Sequence, residues 1–217
     1  RCTKNELSSK LLEQDVKYFG GDLLHSFEVS LGVFYLKNLG KDEDEYISYG
    51  FTEDLIHNFQ KTNLIFVPTM AETMKYKDSN KTALEIGREK NIENILLGSV
   101  DRQGRDITLK LELINSVSGK KIWVYDKTEK FSNKINILVE LVIIILEALT
   151  IPIPDYIKKK KVKQLTTKPE AYENYLKGNF IFETGKSSEE LEKGKRHLEQ
   201  SMKEDPDFVE AHYIHGM

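Results

Sequence analysis

NIENILLGSVDRQGRDITLKLELINSVSGKKIWVYDKTEKF, residues 91–131, is the stretch that decides the fold. It contains three segments of strand type, 94–100, 107–115 and 121–128, and a glycine stands in each of the two turns between them. The middle segment alternates apolar and polar side chains, as a half-buried strand does. Its apolar positions are Ile107, Leu109, Leu111 and Leu113. We therefore predict three consecutive strands at the centre of a sheet.

The chain on either side of this stretch alternates between strand and helix patterns. Before it come an apolar strand at 29–36, a helix that begins near Thr52, a second strand at 63–68 and a short helix at 82–90. After it comes a very apolar helix at 135–149. The predicted class is an α/β (α+β) domain with a mixed sheet, in the order β-α-β-α-β-β-β-α.

A change to purely helical patterns follows Pro169. One helix is predicted at 171–180 and a second at 188–204, which Asp205-Pro206 ends. The second helix carries a small–large–small series, Gly194, Leu198 and Ser201. This spacing resembles the tetratricopeptide repeat, and it predicts an all-α helical hairpin of that type.

These patterns divide the chain into four parts. We predict an N-terminal helical extension or linker at 1–27, the α/β domain at 28–150, a linker at 151–168 and the start of a tetratricopeptide repeat array at 169–217. The linker contains two prolines and a lysine run at 158–161. Because only one repeat and the start of another are present, the sequence reads as a piece of a longer protein.

Composition excludes some classes of function. The chain has 32 basic and 35 acidic residues, a net charge of −3, which disfavours binding to nucleic acid through phosphate contacts. Its longest apolar run, 141–146, is far too short to span a membrane. Cys2 is the single cysteine, so no internal disulfide forms. We predict a cytoplasmic protein, and a periplasmic one is the alternative.

No catalytic pattern is found in the sequence. It has neither a glycine-rich phosphate loop nor a nucleophile elbow. His212 and His215 have the spacing of metal ligands on a helix but lack a third ligand nearby, so a solvated or packed pair is favoured. The sequence predicts no catalytic, cofactor-binding or metal-binding residues and no enzyme activity for this part.

Five residues are instead candidates for a partner surface. Trp123 and Tyr125 share one face of the third strand, where they either contact a partner or pack under a helix. Ile144 lies in the apolar helix, which must be buried in its own domain or against another subunit, so a homodimer is left open. Tyr175 and Asn179 lie on the predicted repeat, on the groove where such arrays bind a protein or peptide.

Several short motifs of residues 28–150 match, in order, those of the TolB amino-terminal-like (FlgO-like) domain of bacterial regulators. They are Asn38, Gly40, Tyr46, Gly50–Glu53, Leu97–Val100, Ser118–Gly119 and Ile122–Trp123. The chain departs from the family where the first strand reads Phe-Tyr-Leu at 34–36 and the family has Leu-Pro-Phe. The resemblance implies helices packed on a sheet, a non-catalytic role and a place beside an output module, such as a class III nucleotide cyclase or a winged-helix transcription regulator.

Two hypotheses on function result. The first is a non-catalytic regulatory and protein-binding module of a larger bacterial signalling protein, attached to a nucleotide cyclase or a transcription-regulator output domain. The second is a periplasmic or lipid-anchored envelope scaffold, which a signal sequence upstream and a lipid on Cys2 would support.

Overall fold

The computed structural model describes residues 29–155, 157 and 166–216. The predicted N-terminal extension at 1–27, Cys2 and the lysine run at 158–161 lie outside these residues. The strands are β1 (Leu31–Val33), β2 (Lys37–Asn38), β3 (Asn94–Gln103), β4 (Asp106–Asn115) and β5 (Lys121–Lys130). The helices are α1 (Glu45–Gln60), α2 (Met70–Met74), α3 (Ala83–Lys90), α4 (Lys134–Ala148), α5 (Pro169–Thr184), α6 (Ser188–Glu204) and α7 (Val209–His215).

The sheet is mixed, as predicted, and its strand order is β1-β3-β4-β5. β1 and β2 both run parallel to β3, each beside a different part of it. β3, β4 and β5 are antiparallel, and β3 pairs with β4 along ten residues from Asn94–Asn115 to Gln103–Asp106. Gly104 supplies the positive φ, 64°, that the short turn between them requires. The α+β class and the three-stranded centre are therefore as the sequence predicts.

The upstream half differs from the prediction in several places, and it contains β2 and α2 in addition to the predicted elements. Instead of the predicted strand, the segment 63–68 contributes one parallel bridge, between Ser30 and Phe66. Asn63 at its start is left-handed (φ 53°), and Pro68 at its end has no N–H to donate to a neighbouring strand. Helix α1 begins at Glu45, seven residues before Thr52. Thr52 is no cap: its hydroxyl donates to the carbonyl of Ser48 and accepts from the N–H of Leu36.

Two helices cover one face of the sheet. α1 and α4 pack on the side chains of β3 and β4 that point to this face, and together they form the main core. α3 covers part of the opposite face in a smaller cluster, which contains Phe34, Ile86, Ile92 and Ile95. Further along that face, towards β5, the sheet is open, and Val124 is 56% exposed.

The helices after residue 168 form a third layer on α1. Leu176 of α5 packs so closely on Gly50 of α1 that a Cβ atom at residue 50 would lie 2.5 Å from the Leu176 side chain. α5 and α6 form the predicted helical hairpin, and Gly178 permits the contact with Leu198, 2.6 Å from where a Cβ would be. Phe208, at the start of α7, is fully buried in the main core. Helix α1 is thus enclosed between the sheet and α5.

None of the helices in the described part of the chain is both long and apolar enough to cross a membrane.

Candidate functional site

An open cleft of about 720 Å³ lies where the helical hairpin meets the α/β part. The acidic loop at 41–44, which precedes α1, forms one wall, and side chains of α5 and α6, among them two lysines, form another. The Asp, Glu, Lys and Arg side chains that line the cleft are Lys41, Asp42, Glu43, Asp44, Arg102, Glu173, Lys177 and Lys193. The cleft therefore joins strand, loop and helical hairpin in one surface.

Arg102, near the end of β3, forms the floor of this cleft. Its Nη1 donates to the Tyr46 hydroxyl (2.5 Å) and to Glu173 Oε1 (3.0 Å), and its Nη2 donates to Glu173 Oε2 (3.3 Å). The Tyr46 hydroxyl in turn donates to Glu173 Oε1 (2.8 Å). Asp44 Oδ1 lies 3.7 Å from Arg102 Nη1. The bidentate ion pair and the shared tyrosine tie β3, α1 and α5 together.

Glu173 is held in its charged form. Burial alone would raise the pKa of this carboxyl, but hydrogen bonds from Arg102, Lys177 and Tyr46 outweigh it and bring the pKa down to about 2. Lys177 Nζ contributes from the same helix, at 2.9 Å from Glu173 Oε1. A carboxylate that is ionised at every physiological pH and bonded on both oxygens positions its neighbours and is a poor proton acceptor.

A second polar cluster lies deeper, at the buried end of α4. Lys134 is 1% exposed; its Nζ donates to the Tyr172 hydroxyl (2.9 Å) and lies 3.2 Å from Asp54 Oδ2. The Tyr172 hydroxyl donates to the same carboxylate, and the Lys134 ammonium lies 4.2 Å from the centre of the Phe51 ring. Burial lowers the pKa of Lys134, and the carboxylate of Asp54 opposes this shift. The cluster joins α1, α4 and α5.

Glu53, beside this cluster, is a half-buried carboxyl at the contact between α1 and α5. Asn179 of α5 donates an amide N–H to Glu53 Oε2 (2.8 Å). Burial and, after it, the nearby carboxylates of Asp54 and Glu183 raise the pKa of Glu53 to about 7, against the smaller lowering by the Asn179 amide and the Lys134 ammonium. The contact between α1 and α5 therefore changes its charge close to neutral pH.

The two aromatic residues predicted on β5 face the layer of α4. Tyr125 is buried, Trp123 is half-buried against the main core, and their ring centres are 5.6 Å apart. Ile122 and Val124 are the exposed apolar residues of this strand. The sequence left open whether the aromatic pair contacts a partner or packs under a helix, and in this structure both rings pack against the main core.

The other three predicted surface residues lie on α4 and α5. Ile144 is half-buried on α4. Tyr175 is half-buried and its ring centre is 4.9 Å from that of Phe208, while Asn179 is 3% exposed and faces Glu53. In this structure Tyr175 and Asn179 of α5 thus contact Phe208 and α1 of the same chain.

The sequence did not indicate the residues that organise the cleft and the buried cluster. The sequence pattern places Arg102 in a turn, whereas the structure has it in β3, and its partners Tyr46 and Glu173 are 56 and 71 residues away along the chain. One local signal existed for Lys134. A lysine in the first turn of a helix lies at the positive end of the helix dipole, an unfavourable position that calls for a tertiary partner such as Asp54.

The histidine pair lies apart from both polar clusters. His212 Nε2 is 2.8 Å from the carbonyl of Pro206, and His215 Nε2 is 3.5 Å from Glu199 Oε1. Within residues 29–155, 157 and 166–216, no three His, Cys, Asp or Glu side chains are grouped so that they could hold a metal ion.

No family model matches the sequence, but a curated protein is similar to it. Putative adenylate cyclase 3 of Rhizobium meliloti (strain 1021) is 22% identical over 184 residues, which are 84% of this chain and 31% of that protein. The chain thus spans about a third of that protein's length.

Several solved structures are similar to part of this chain. They include lipoprotein GNA1162 from Neisseria meningitidis (18% identity, TM-score 0.41, 55% of this chain and 96% of that chain). TolB from Acinetobacter baumannii has 8% identity and a TM-score of 0.42, over 57% of this chain and 29% of that one. The LpoB C-terminal domain from Escherichia coli has 19% identity and a TM-score of 0.39, over 58% and 93%. Similarity at this level gives no information about function.

Proposed function

We propose that this chain is a non-catalytic protein-binding module whose cleft receives a segment of a partner protein. The observation that carries the proposal is the arrangement of charge in the cleft. An acidic loop with Asp42 and Glu43 and a basic wall with Lys193 line the same open space of about 720 Å³. A peptide segment that carries charges of both signs complements such a cleft, and complementary charge fixes the direction in which it lies.

The floor of the cleft supports a binding role over a catalytic one. Arg102, Tyr46 and Glu173 are bonded to one another, so the strongest charges are already paired before any ligand enters. Such a floor is preorganised, and a partner segment can bind on it without ordering it first.

We further propose that the cleft couples the helical hairpin to the rest of the module. Glu173 belongs to α5, Tyr46 to α1 and Arg102 to β3, and α5 also contacts α1 through Leu176 and Gly50. A segment that competes for Glu173 would therefore act on all three layers at once. On this proposal α5 and α6 are the first repeat of a tetratricopeptide array, packed on a TolB-like domain.

A library of random peptides displayed on phage tests the binding proposal. Peptides selected on the wild-type chain should bind at least tenfold more weakly to Lys193→Glu, which reverses one charge of the basic wall, because the opposing charge is lost. They should bind normally to Lys120→Glu, an exposed lysine in the turn before β5, which serves as the control. Peptides that bind both variants equally, or a library that yields none, would contradict the proposal.

Two settings accommodate this module. One is a regulator attached to a nucleotide cyclase, and the relative reported above is named a putative adenylate cyclase. The other is an envelope scaffold, periplasmic or lipid-anchored, and one protein of similar structure is named a lipoprotein. Protease treatment of spheroplasts of the source cells separates them: degradation of the chain would place it in the envelope, and protection until lysis would place it in the cytoplasm.

A further inference from the structure

Strand β5 is the edge of the sheet. Within the part of the chain that the structure describes, it pairs with β4 alone, along residues 121–130. The shift in register near Ile122 lies at the start of the strand, and the pairing from Trp123 to Lys130 is regular. A long, regular edge strand offers its backbone N–H and C=O groups to another strand.

The end of this strand is complementary in charge to itself. Residues 126–130 read Asp-Lys-Thr-Glu-Lys. When two such strands lie antiparallel about a twofold axis at Thr128, Asp126 comes opposite Lys130 and Lys127 comes opposite Glu129 of the other copy. Both pairs occur twice, so each of the four charges on one strand faces an opposite charge. Cross-strand pairs of opposite charge stabilise a sheet, and like charges destabilise it.

Contacts within the chain extend this complementarity across the sheet. Lys110 Nζ of β4 lies 3.1 Å from Asp126 Oδ2, and Lys130 Nζ lies 2.5 Å from Asp106 Oδ1. The twofold arrangement therefore gives a row across four strands, Lys110, Asp126, Lys130 and Asp106, in which the last two belong to the second copy and the sign alternates at every step. At the axis, Thr128 already contacts Thr108 through their hydroxyl groups, 2.8 Å apart.

We propose that the β5 edge binds the same edge of a second copy of this chain, in antiparallel register about Thr128, to form one continuous sheet. The side chains concerned are accessible, since Asp126, Lys127, Thr128 and Lys130 are exposed. We expect a weak dimer, because an edge of this length buries less than the roughly 1,200 Å² of a stable interface.

Sedimentation of two variants with opposite charge changes tests the register. Lys127→Glu makes residues 127 and 129 both acidic, and Glu129→Lys makes them both basic. Each variant alone should dimerise about tenfold more weakly than the wild type, because both of its copies present like charges. An equimolar mixture of the two variants should recover the affinity of the wild type, and so should the double variant with both changes.

Lys195→Glu is the control, an exposed charge reversal on α6 that should leave the dimer unchanged. Circular dichroism checks that all variants are folded. A wild-type chain that stays monomeric as its concentration is raised would overturn the proposal, and so would single variants that dimerise like the wild type. A mixture that dimerises no better than its components would overturn the register and with it the proposed twofold pairing.

Discussion

Replacing Glu53 by Gln should stabilise the folded chain above neutral pH and leave its stability nearly unchanged in mild acid. The carboxyl of Glu53 lies between α1 and α5, close to the carboxylates of Asp54 and Glu183, and burial raises its pKa from 4.5 to about 7. A raised pKa means that the charged form is disfavoured in the folded state. Glutamine keeps the size of the side chain and can accept the N–H of Asn179, but it has no charge to desolvate.

The sign and size of the effect come from the change in pKa on folding. Between pH 4.5 and about 7 the folded chain holds a proton on Glu53 that the unfolded chain has lost, so stability falls as the pH rises through this window and stays lower above it. At about 1.4 kcal/mol per unit, the shift corresponds to about 3 kcal/mol. Water reaches part of this carboxyl, which is half-buried, so we expect a gain of about 2 kcal/mol for Glu53→Gln above the window.

Urea unfolding at two pH values measures this gain. The free energy of unfolding of Glu53→Gln should exceed that of the wild type by about 2 kcal/mol near pH 8 and by less than about 0.5 kcal/mol near pH 4.5. Glu192→Gln, at an exposed position of α6, is the matched control and should show no such dependence on pH. An equal gain at both pH values, or a loss near pH 8, would refute the reasoning that burial of the charge is the cause.

Two other predictions concern the buried cluster and the sheet. Lys134→Ala should lower the free energy of unfolding by about 3–5 kcal/mol, because it leaves Asp54 without its buried cation. The double variant Lys134→Met with Asp54→Asn should lie within about 2 kcal/mol of the wild type, because it removes both charges. Equal losses for the two variants in urea unfolding would contradict this. Gly98→Ala should cost more than about 2 kcal/mol in the same assay, because the new Cβ would lie 2.2 Å from the carbonyl of Lys110. Gly104→Ala, at a turn with open space around it, should cost only about 1 kcal/mol of backbone strain, and a smaller loss for Gly98→Ala than for Gly104→Ala would contradict the reasoning.

Local patterns predicted the centre of the fold well. β4 alternates in burial as its sequence alternates in polarity, and the turn between β3 and β4 contains a glycine with the φ that a hairpin needs. The contact of Gly178 with Leu198 is also a local feature, since two adjacent helices approach closely only where one side chain is small. In each of these cases neighbouring residues determine the structure.

Contacts between distant residues explain what the sequence did not show. Thr52 has the properties of a helix cap, yet it lies inside α1 because its hydroxyl can satisfy the N–H of Leu36, which the end of β1 leaves near it. The sequence predicted that Asn179 lies on a groove for peptides, but in the structure Asn179 donates to Glu53 of α1, 126 residues earlier. No pattern within one helix or strand indicates these hydrogen bonds, because each of them joins two elements that only the packing of sheet and helices brings together.

The position of α1 connects these findings to the proposed function. Phe51 and Leu55 of α1 are fully buried in the core, and on its other side Gly50 contacts Leu176 of α5. If α5 moved along α1, the contact of Glu173 with Arg102 would break, which would leave the guanidinium of Arg102 partly buried without its bidentate partner while Glu173 kept Lys177 of its own helix. A partner segment that binds Glu173 in place of Arg102 would remove this obstacle. Competition for one carboxylate is therefore the step by which occupation of the cleft could change the packing of the helical hairpin.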